Sequence, residues 1–229
     1  MMRPVDVDDP TTWPTRVLTV AKEWAEDCKN TTEYTSDLPL PVELEAPFRE
    51  LLTGELLRAY HYTRLLPHER AMVLNTGLRA LSAELLFDRI EGACSAGAIS
   101  ATEAAEFHKG HVFATNEQLH REDQVCCVLS KRVFERDPHA CRPLLTTWGG
   151  EGMYMSSGAR SFQDRLTTLG SPAVVAALLE LGGAGSPHRV FPALHKVFVA
   201  SVLGLEDVGA DVFYRTPVPP ENIECILPV

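Results

Sequence analysis

The stretch Tyr60-His61-Tyr62-Thr63, followed after a short amphipathic segment by Asn75-Thr76-Gly77-Leu78, decides the fold of this chain. The first quartet is typical of the end of a β-strand. The second indicates where the next helix ends, because glycine is favoured just past a helix. An imidazole and a hydroxyl at alternate strand positions point to the same side, so His61 and Thr63 can form hydrogen bonds with one polar ligand. The alternative is a histidine that packs in the core beside an ordinary helix end.

A glycine-rich stretch, Gly149-Gly150-Glu151-Gly152, leads into the quartet Met153-Tyr154-Met155-Ser156. Glycine lets a ligand approach the backbone closely, and the quartet after it predicts a strand. In a strand, Tyr154 and Ser156 lie on one face, because successive side chains alternate. The pattern indicates an aromatic ring and a hydroxyl that contact one ligand. A glycine-rich turn with an aromatic residue in the core is the alternative.

A third pattern lies near the C-terminal end. The run Asp211-Val212-Phe213-Tyr214-Arg215 predicts a strand that opens with a carboxylate. The run Pro217-Val218-Pro219-Pro220-Glu221-Asn222-Ile223 predicts a turn, and a last strand follows it at Cys225 and Ile226.

Taken together and in this order, the three patterns resemble the ADP-ribosyltransferase superfamily over residues 59–229. The resemblance implies an ADP-ribosyltransferase-like fold with a mixed or antiparallel sheet, and NAD as a substrate. It implies that His61, Tyr62 and Thr63 bind NAD, with His61 and Thr63 on a ribose. It also implies that Tyr154 is a catalytic residue whose ring stacks on the nicotinamide, with Ser156 nearby.

The resemblance also implies a catalytic carboxylate near the C-terminal end. There the superfamily has a glutamate, which stabilises the cation that develops as nicotinamide leaves. Asp211 matches that position, so this chain departs from the pattern. Glu206 is the second candidate, and Asp207 and Glu151 are further carriers. Gly209 stands two residues before Asp211, so the Glu-x-Glu pair of arginine-modifying members is absent and arginine is not the expected acceptor.

The function that the resemblance implies is NAD-dependent mono-ADP-ribosyl transfer to an unidentified protein, nucleic-acid or small-molecule acceptor. An NAD-dependent RNA 2′-phosphotransferase and an NAD glycohydrolase are alternatives within the same fold. Another alternative is a non-catalytic module that binds a nucleotide or a protein, which the aspartate at the glutamate position favours. An inhibitory partner protein is compatible with each. If the patterns coincide by chance, the chain is an α+β interaction protein.

Helix signals come first along the chain and strand signals later, which predicts the α+β class. We expect an N-terminal helical extension over residues 1–58 and the ADP-ribosyltransferase-like domain over residues 59–229, with a helical insertion over residues 82–120. Ser82 starts the insertion, and Ser100 with Glu103 forms a capping box inside it. The other expected elements are a helix from Thr15, a strand at Val125–Ser130, a helix from Ser171 through Leu179, and a strand or helix at Val197–Leu203.

The chain of 229 residues carries a formal charge of −10 and is 45% hydrophobic. The negative charge argues against general adhesion to nucleic acid or to an anionic membrane. A cluster at Lys131, Arg132, Arg136 and Arg142 is either a local basic patch or a solvated face. No apolar run approaches the roughly 20 residues that cross a bilayer, and the N-terminus lacks the apolar core of a signal peptide. We expect a cytoplasmic protein without membrane contact.

Other kinds of site receive less support. The six cysteines form no CxxC pair and predict reduced, mostly buried thiols. His108 and His111 stand three residues apart, but no third ligand follows at a convincing spacing, so we expect no metal site. The glycine motifs of Rossmann, P-loop and α/β-hydrolase proteins are absent, which excludes those classes.

Overall fold

A computed structural model describes residues 3–29, 34–115, 117, 121–132, 142–205 and 208–229. Its helices are α1 (Thr15–Cys28), α2 (Glu45–Glu50), α3 (Pro67–Thr76), α4 (Ala83–Ser95), α5 (Ala101–Gly110), α6 (Arg142–Thr146), α7 (Glu151–Tyr154), α8 (Gln163–Thr168) and α9 (Leu194–Leu203). Its strands are β1 (Leu56–Leu65), β2 (Val125–Val128), β3 (Ser171–Glu180), β4 (Arg189–Phe191), β5 (Asp211–Tyr214) and β6 (Ile223–Pro228).

The described strands form one six-stranded sheet in the order β4-β5-β2-β1-β3-β6. Strand β1 pairs antiparallel with β2, with Tyr60 opposite Val128, and β4 pairs antiparallel with β5. Strands at or near Val125, Asp211 and Cys225 were expected from the sequence and are confirmed. The chain is thus a mixed α/β protein on an open sheet, which is compatible with the predicted α+β class.

The chain divides into two compact units. The first unit consists of Met1–Tyr60, Cys126–Pro138 and Ala177–Tyr214. The second unit consists of His61–Val125, His139–Ala176 and Arg215–Val229. The separate N-terminal extension and the domain starting at residue 59 stay a prediction.

The first unit contains an aromatic core. Helix α1 packs against α9 and buries Val17 and Ala21, which lie on one face because they are four residues apart. The ring of Phe198 lies 4.6 Å from that of Trp13 and 5.2 Å from that of Phe48. The helix predicted from the N-terminal periodicity is therefore confirmed, and it forms part of a hydrophobic core.

The core of the second unit is built by α4 and α5 around Phe107 and Trp148. Helix α4 begins after Ser82, whose side chain caps it, as predicted. The Ser100 hydroxyl accepts from the backbone N–H of Glu103, and the Glu103 carboxylate accepts from the N–H of Ser100 at 2.7 Å. The predicted capping box is confirmed.

The helix predicted from Ser171 through Leu179 is wrong, because this segment is strand β3. Five consecutive residues, Ala173–Ala177, are buried, so both faces of the strand are covered. A strand buried on both faces is a continuous apolar run, which resembles a buried helix in sequence. Pro172 lies at the second position of the strand, where a missing N–H is tolerated.

The strand predicted at Met153–Ser156 is also wrong. The N–H groups of Met153 and Tyr154 both bond the carbonyl of Gly150 at 3.0 Å, which winds the chain into the helical turn α7. The run at Val197–Leu203, for which strand and helix were both open, lies in helix α9. Among the residues described, no helix has the length and apolar character needed to cross a bilayer.

Candidate functional site

The predicted ribose-binding residues lie in the second half of strand β1. Thr63 is buried and His61 is half-buried, on the face of the strand that the alternation of side chains predicts. Tyr60 and Tyr62 point to the opposite face and are both buried. His61 is therefore partly exposed, whereas Tyr62 is mainly a core residue.

Helix α3 follows β1 and ends where the sequence predicted. Gly77 adopts a φ of 81°, which glycine tolerates and other residues rarely adopt. Directly after it, Leu78 and Val218 exchange two backbone hydrogen bonds of 2.8 Å. A Cβ atom at residue 77 would lie 1.9 Å from the carbonyl oxygen of Val218, so only glycine fits. The structure thus brings the end of the first motif into contact with the proline-rich end of the third.

Helix α7 carries Tyr154 and presents it beside a carboxylate. The turn before it needs glycine, because Gly149 has a φ of 87° and a Cβ atom there would lie 2.1 Å from the Cγ of Met153. The Tyr154 hydroxyl donates to Oε1 of Glu151 across 3.3 Å. The guanidinium of Arg121 lies 3.2 Å from Oε2 of the same carboxylate. Tyr154, Glu151 and Arg121 form one polar chain.

The position of Ser156 differs from the predicted one. Its side chain is buried, and its hydroxyl accepts from the N–H of Gly158 and lies 3.1 Å from the hydroxyl of Thr115. Ser156 therefore caps the short 3-10 helix Ser157–Phe162. Its role as a ligand contact stays a prediction, and its hydrogen bonds show a structural role. Beside it, hydrogen bonds from Ser157 lower the pKa of Glu117.

A buried ion pair, not predicted from the sequence, ties α3 to the glycine turn. Glu69 accepts from Arg89 at 2.6 Å, from the backbone N–H of Leu66 at 2.7 Å and from the indole of Trp148 at 2.9 Å. Burial alone would raise the pKa of Glu69, but the charge of Arg89 and the hydrogen bonds outweigh it and lower the pKa. Trp148 directly precedes Gly149, so this pair fixes the start of the turn that leads to Tyr154. Pro67 at the first helical position was the available sequence signal for this helix start.

The predicted catalytic carboxylate belongs to the other compact unit. Asp211 is exposed, opens β5 and lies opposite Phe191 of β4. Glu206 and Asp207 lie outside the described residues. His61, Tyr62, Thr63, Tyr154 and Ser156 all belong to the second unit, and Asp211 belongs to the first.

The predicted basic cluster is partly neutralised. Arg132 lies 3.3 Å from Oδ1 of Asp8, and the backbone N–H of Lys131 donates to the same carboxylate. Burial raises the pKa of Asp8, and the charge of Asp6 adds to the rise, while Ser130, the backbone of Lys131 and the charge of Arg132 oppose it. Arg142 is exposed, and Arg136 lies outside the described residues. Arg132 thus forms an ion pair with Asp8 of the same chain.

The thiols and histidines set aside in the sequence have ordinary surroundings. Burial raises the pKa of Cys127 far above its usual value, so the thiolate form is disfavoured. His108 lies 2.7 Å from the carboxylate of Glu91, and the ring of His111 accepts from the N–H of Ala114. Among the described residues, no group of three or more His, Cys, Asp and Glu side chains is placed to hold a metal ion.

Comparisons with protein-family models, with curated proteins and with solved structures found no match. The function of this chain therefore has to be inferred from its own residues and contacts. The contacts that bear on it are the Leu78–Val218 bridge and the hydrogen-bonded chain at Tyr154.

Proposed function

We propose that this chain has an ADP-ribosyltransferase-like fold and transfers a single ADP-ribosyl group from NAD to an acceptor. The observation that carries the proposal is the bridge between Leu78 and Val218. These residues belong to two motifs far apart in the sequence that the resemblance treats as parts of one site. A chance pair of short patterns gives no reason for them to be hydrogen-bonded to each other.

The second unit offers side chains of the kinds that bind a dinucleotide. His61 is half-buried and carries ring nitrogens that can bond the hydroxyl groups of a ribose, with Thr63 on the same face of the strand. Tyr154 is half-buried and offers an aromatic ring for the nicotinamide. Among the described residues, no atom outside the immediate chain neighbours lies within 4 Å of a Cβ built on Gly150, so a ligand can approach the backbone of this turn.

The reaction replaces one bond at the anomeric carbon of the ribose. The bond to the nicotinamide nitrogen breaks, and its electron pair stays with the nitrogen, so nicotinamide leaves as a neutral molecule. The acceptor attacks the same carbon and loses its proton to solvent or to a nearby base. The reaction needs a carboxylate that stabilises the positive charge developing on the ribose, and the resemblance offers Asp211 or else Glu206 for this role.

The alternatives differ in the acceptor or in the absence of turnover. With water as the acceptor, the same site is an NAD glycohydrolase. An RNA 2′-phosphotransferase needs several cations for the RNA phosphate, and the pairing of Arg132 with Asp8 removes one candidate. The aspartate in place of the glutamate still favours a non-catalytic binding module as the second candidate.

Nicotinamide release from NAD tests the proposal directly. We expect release by the wild-type chain, alone or with cell lysate as the source of acceptor. His61→Ala and Tyr154→Ala should each reduce the rate by about 100-fold or more, because each removes a contact to the reacting half of NAD. His108→Ala, which removes a histidine outside the proposed site, should leave the rate unchanged.

Two outcomes would contradict the proposal. Absence of release by the wild type under both conditions would refute the transferase and the glycohydrolase alike. Wild-type rates in both His61→Ala and Tyr154→Ala would refute the site. Binding of NAD without release would point to the non-catalytic module.

A further inference from the structure

The carboxylate of Glu151 is held from two sides by side chains of its own unit. Tyr154 donates to Oε1 at 3.3 Å and Arg121 lies 3.2 Å from Oε2. The Glu151 side chain is only 16% exposed, so solvent screens its charge less than it screens a surface carboxylate. This arrangement places a fixed negative group at the hydroxyl end of the proposed nicotinamide-stacking ring.

We infer that Glu151 makes the nicotinamide subsite selective for a positively charged ring, an inference that rests on the function proposed above. The pyridinium ring of NAD⁺ carries a positive charge, whereas the dihydropyridine ring of NADH and free nicotinamide are neutral. The subsite therefore binds oxidised NAD⁺ in preference to NADH. Glu151 acts through Tyr154, so it is a positioning residue.

The physical reason is the polarisation of the phenol. A hydroxyl that donates to a carboxylate shifts electron density towards the aromatic ring, because hydrogen-bonded groups polarise one another. The face of such a ring is more negative and attracts a cation stacked on it more strongly. The i, i+3 spacing of Glu151 and Tyr154 on α7 holds the two groups on one side of the helix.

The same arrangement favours release of the product. When the glycosidic bond breaks, its electron pair goes to the ring nitrogen and the nicotinamide loses its positive charge. The attraction to the polarised ring then weakens at the moment when nicotinamide has to leave. Glu151 thus holds the substrate ring more tightly than the product ring.

Arg121 has the opposite effect on the charge. Its guanidinium orients the carboxylate and partly compensates the negative charge. Removing it with Arg121→Gln leaves the charge of Glu151 uncompensated. The preference for a cationic ring should then stay the same or increase, whereas Glu151→Gln should lower it.

Two small probes measure the preference without a reaction. 1-Methylnicotinamide carries a permanent positive charge, and nicotinamide is its neutral counterpart. Their dissociation constants are measured by calorimetry with the wild type and with Glu151→Gln, and those of NAD⁺ and NADH are measured in parallel. We expect the wild type to prefer each cationic member by about three- to tenfold, within the range of a cation–π contact. Glu151→Gln should show a clearly smaller preference, because the Tyr154 ring remains but is no longer polarised by a carboxylate.

A matched control separates the local effect from a change in net charge. Glu106→Gln removes one negative charge from an exposed position of α5 in the same unit. This variant should keep the wild-type preference. Melting temperatures show whether Glu151→Gln is folded; if it is not, Tyr154→Phe removes the hydroxyl but keeps the ring, and it should lower the preference.

The outcomes distinguish this inference from the proposed function. If the wild type releases nicotinamide but folded Glu151→Gln keeps the preference, the role of Glu151 is refuted and the function stands. An unchanged preference in Tyr154→Phe refutes the polarisation in the same way. If the wild type neither binds NAD⁺ nor releases nicotinamide, the function is refuted and the inference with it.

Discussion

At the scale of single residues, the carboxylate of Glu69 accepts hydrogen bonds that fix the start of α3 and the turn before Tyr154. The Glu69 side chain is 6% exposed and that of Arg89 is 16% exposed, so the ion pair lies largely out of water. Arg89 also lies 5.1 Å from the centre of the Trp148 ring. A buried charge is tolerated only with its partner, because loss of one member leaves the other uncompensated. The geometry of the turn before Tyr154 therefore depends on the buried carboxylate of Glu69, to which the Trp148 indole donates.

We predict that Glu69→Gln lowers the free energy of unfolding by about 3 kcal/mol, because Arg89 loses its counter-charge in a buried position. Denaturant unfolding followed by circular dichroism measures the change. Glu84→Gln is the matched control, since the Glu84 side chain is 81% exposed. Its effect should stay within about 0.5 kcal/mol. Equal stabilities of the two variants would show that the buried pair is unimportant.

At the scale of secondary-structure elements, cap signals predicted helices well and apolar runs did not. Ser82 and Ser100 marked helix starts, because the side chain of each satisfies an orphan backbone N–H. The run in β3 was misread as a helix, since burial on both faces removes the alternation that marks a strand. The prediction of a strand at the turn α7 is wrong, because a stretch of four residues shows too little periodicity to distinguish a helix from a strand.

The end of α3 supplies a prediction with a close control. Gly77 has a φ of 81° and no room for a Cβ atom, whereas Gly54 has a φ of 79° and no described atom within 4 Å of such a Cβ. Gly54→Ala should therefore lower the free energy of unfolding by about 1–2 kcal/mol, the strain of a left-handed backbone alone. Gly77→Ala should lower it by clearly more, because the Leu78–Val218 bridge has to open. Chemical denaturation of both variants measures the difference, and equal effects would contradict a close contact at Gly77.

The capping box of α5 gives a pH dependence. Hydrogen bonds from Ser100 and from Arg165 lower the pKa of Glu103 from 4.5 to about 2. A carboxylate whose pKa is lower in the folded state stabilises the fold above its unfolded pKa, and this stabilisation is lost as the pH falls from 4.5 towards 2. We predict that Glu103→Gln lowers the melting temperature near neutral pH and hardly changes it at about pH 2. A difference that is constant with pH would show that the charge of Glu103 is not responsible.

At the scale of the whole molecule, the sequence revealed the parts of the proposed site better than their connections. The positions of β1, α3, β5 and β6 follow from local patterns, because turn and cap residues act within a few positions. The bridge from Leu78 to Val218 and the pair of Glu69 with Arg89 join distant segments, and no local pattern encodes them. The contact between Arg121 and Glu151 is likewise not encoded by a local pattern. The sequence indicates Glu151 only as a further candidate for the catalytic carboxylate.

The proposed reaction needs a carboxylate that stabilises the cation on the ribose, and substitution can identify it. Asp211 opens β5 in the first unit, whereas His61 and Tyr154 belong to the second. We predict that Asp211→Ala lowers kcat for nicotinamide release by about 100-fold or more and leaves the dissociation constant of NAD nearly unchanged, because the carboxylate acts on charge that develops only as the bond breaks.

Two further substitutions complete the test of Asp211. Asp211→Glu introduces the residue that the resemblance implies at this position, and if the proposed function is right it should retain or increase kcat. Glu206→Ala should leave kcat near the wild-type value. If Glu206→Ala lowers kcat and Asp211→Ala does not, the catalytic role belongs to Glu206. If neither variant lowers it, neither residue is the catalytic carboxylate, and Glu151 becomes the candidate that the same kinetic measurement has to examine.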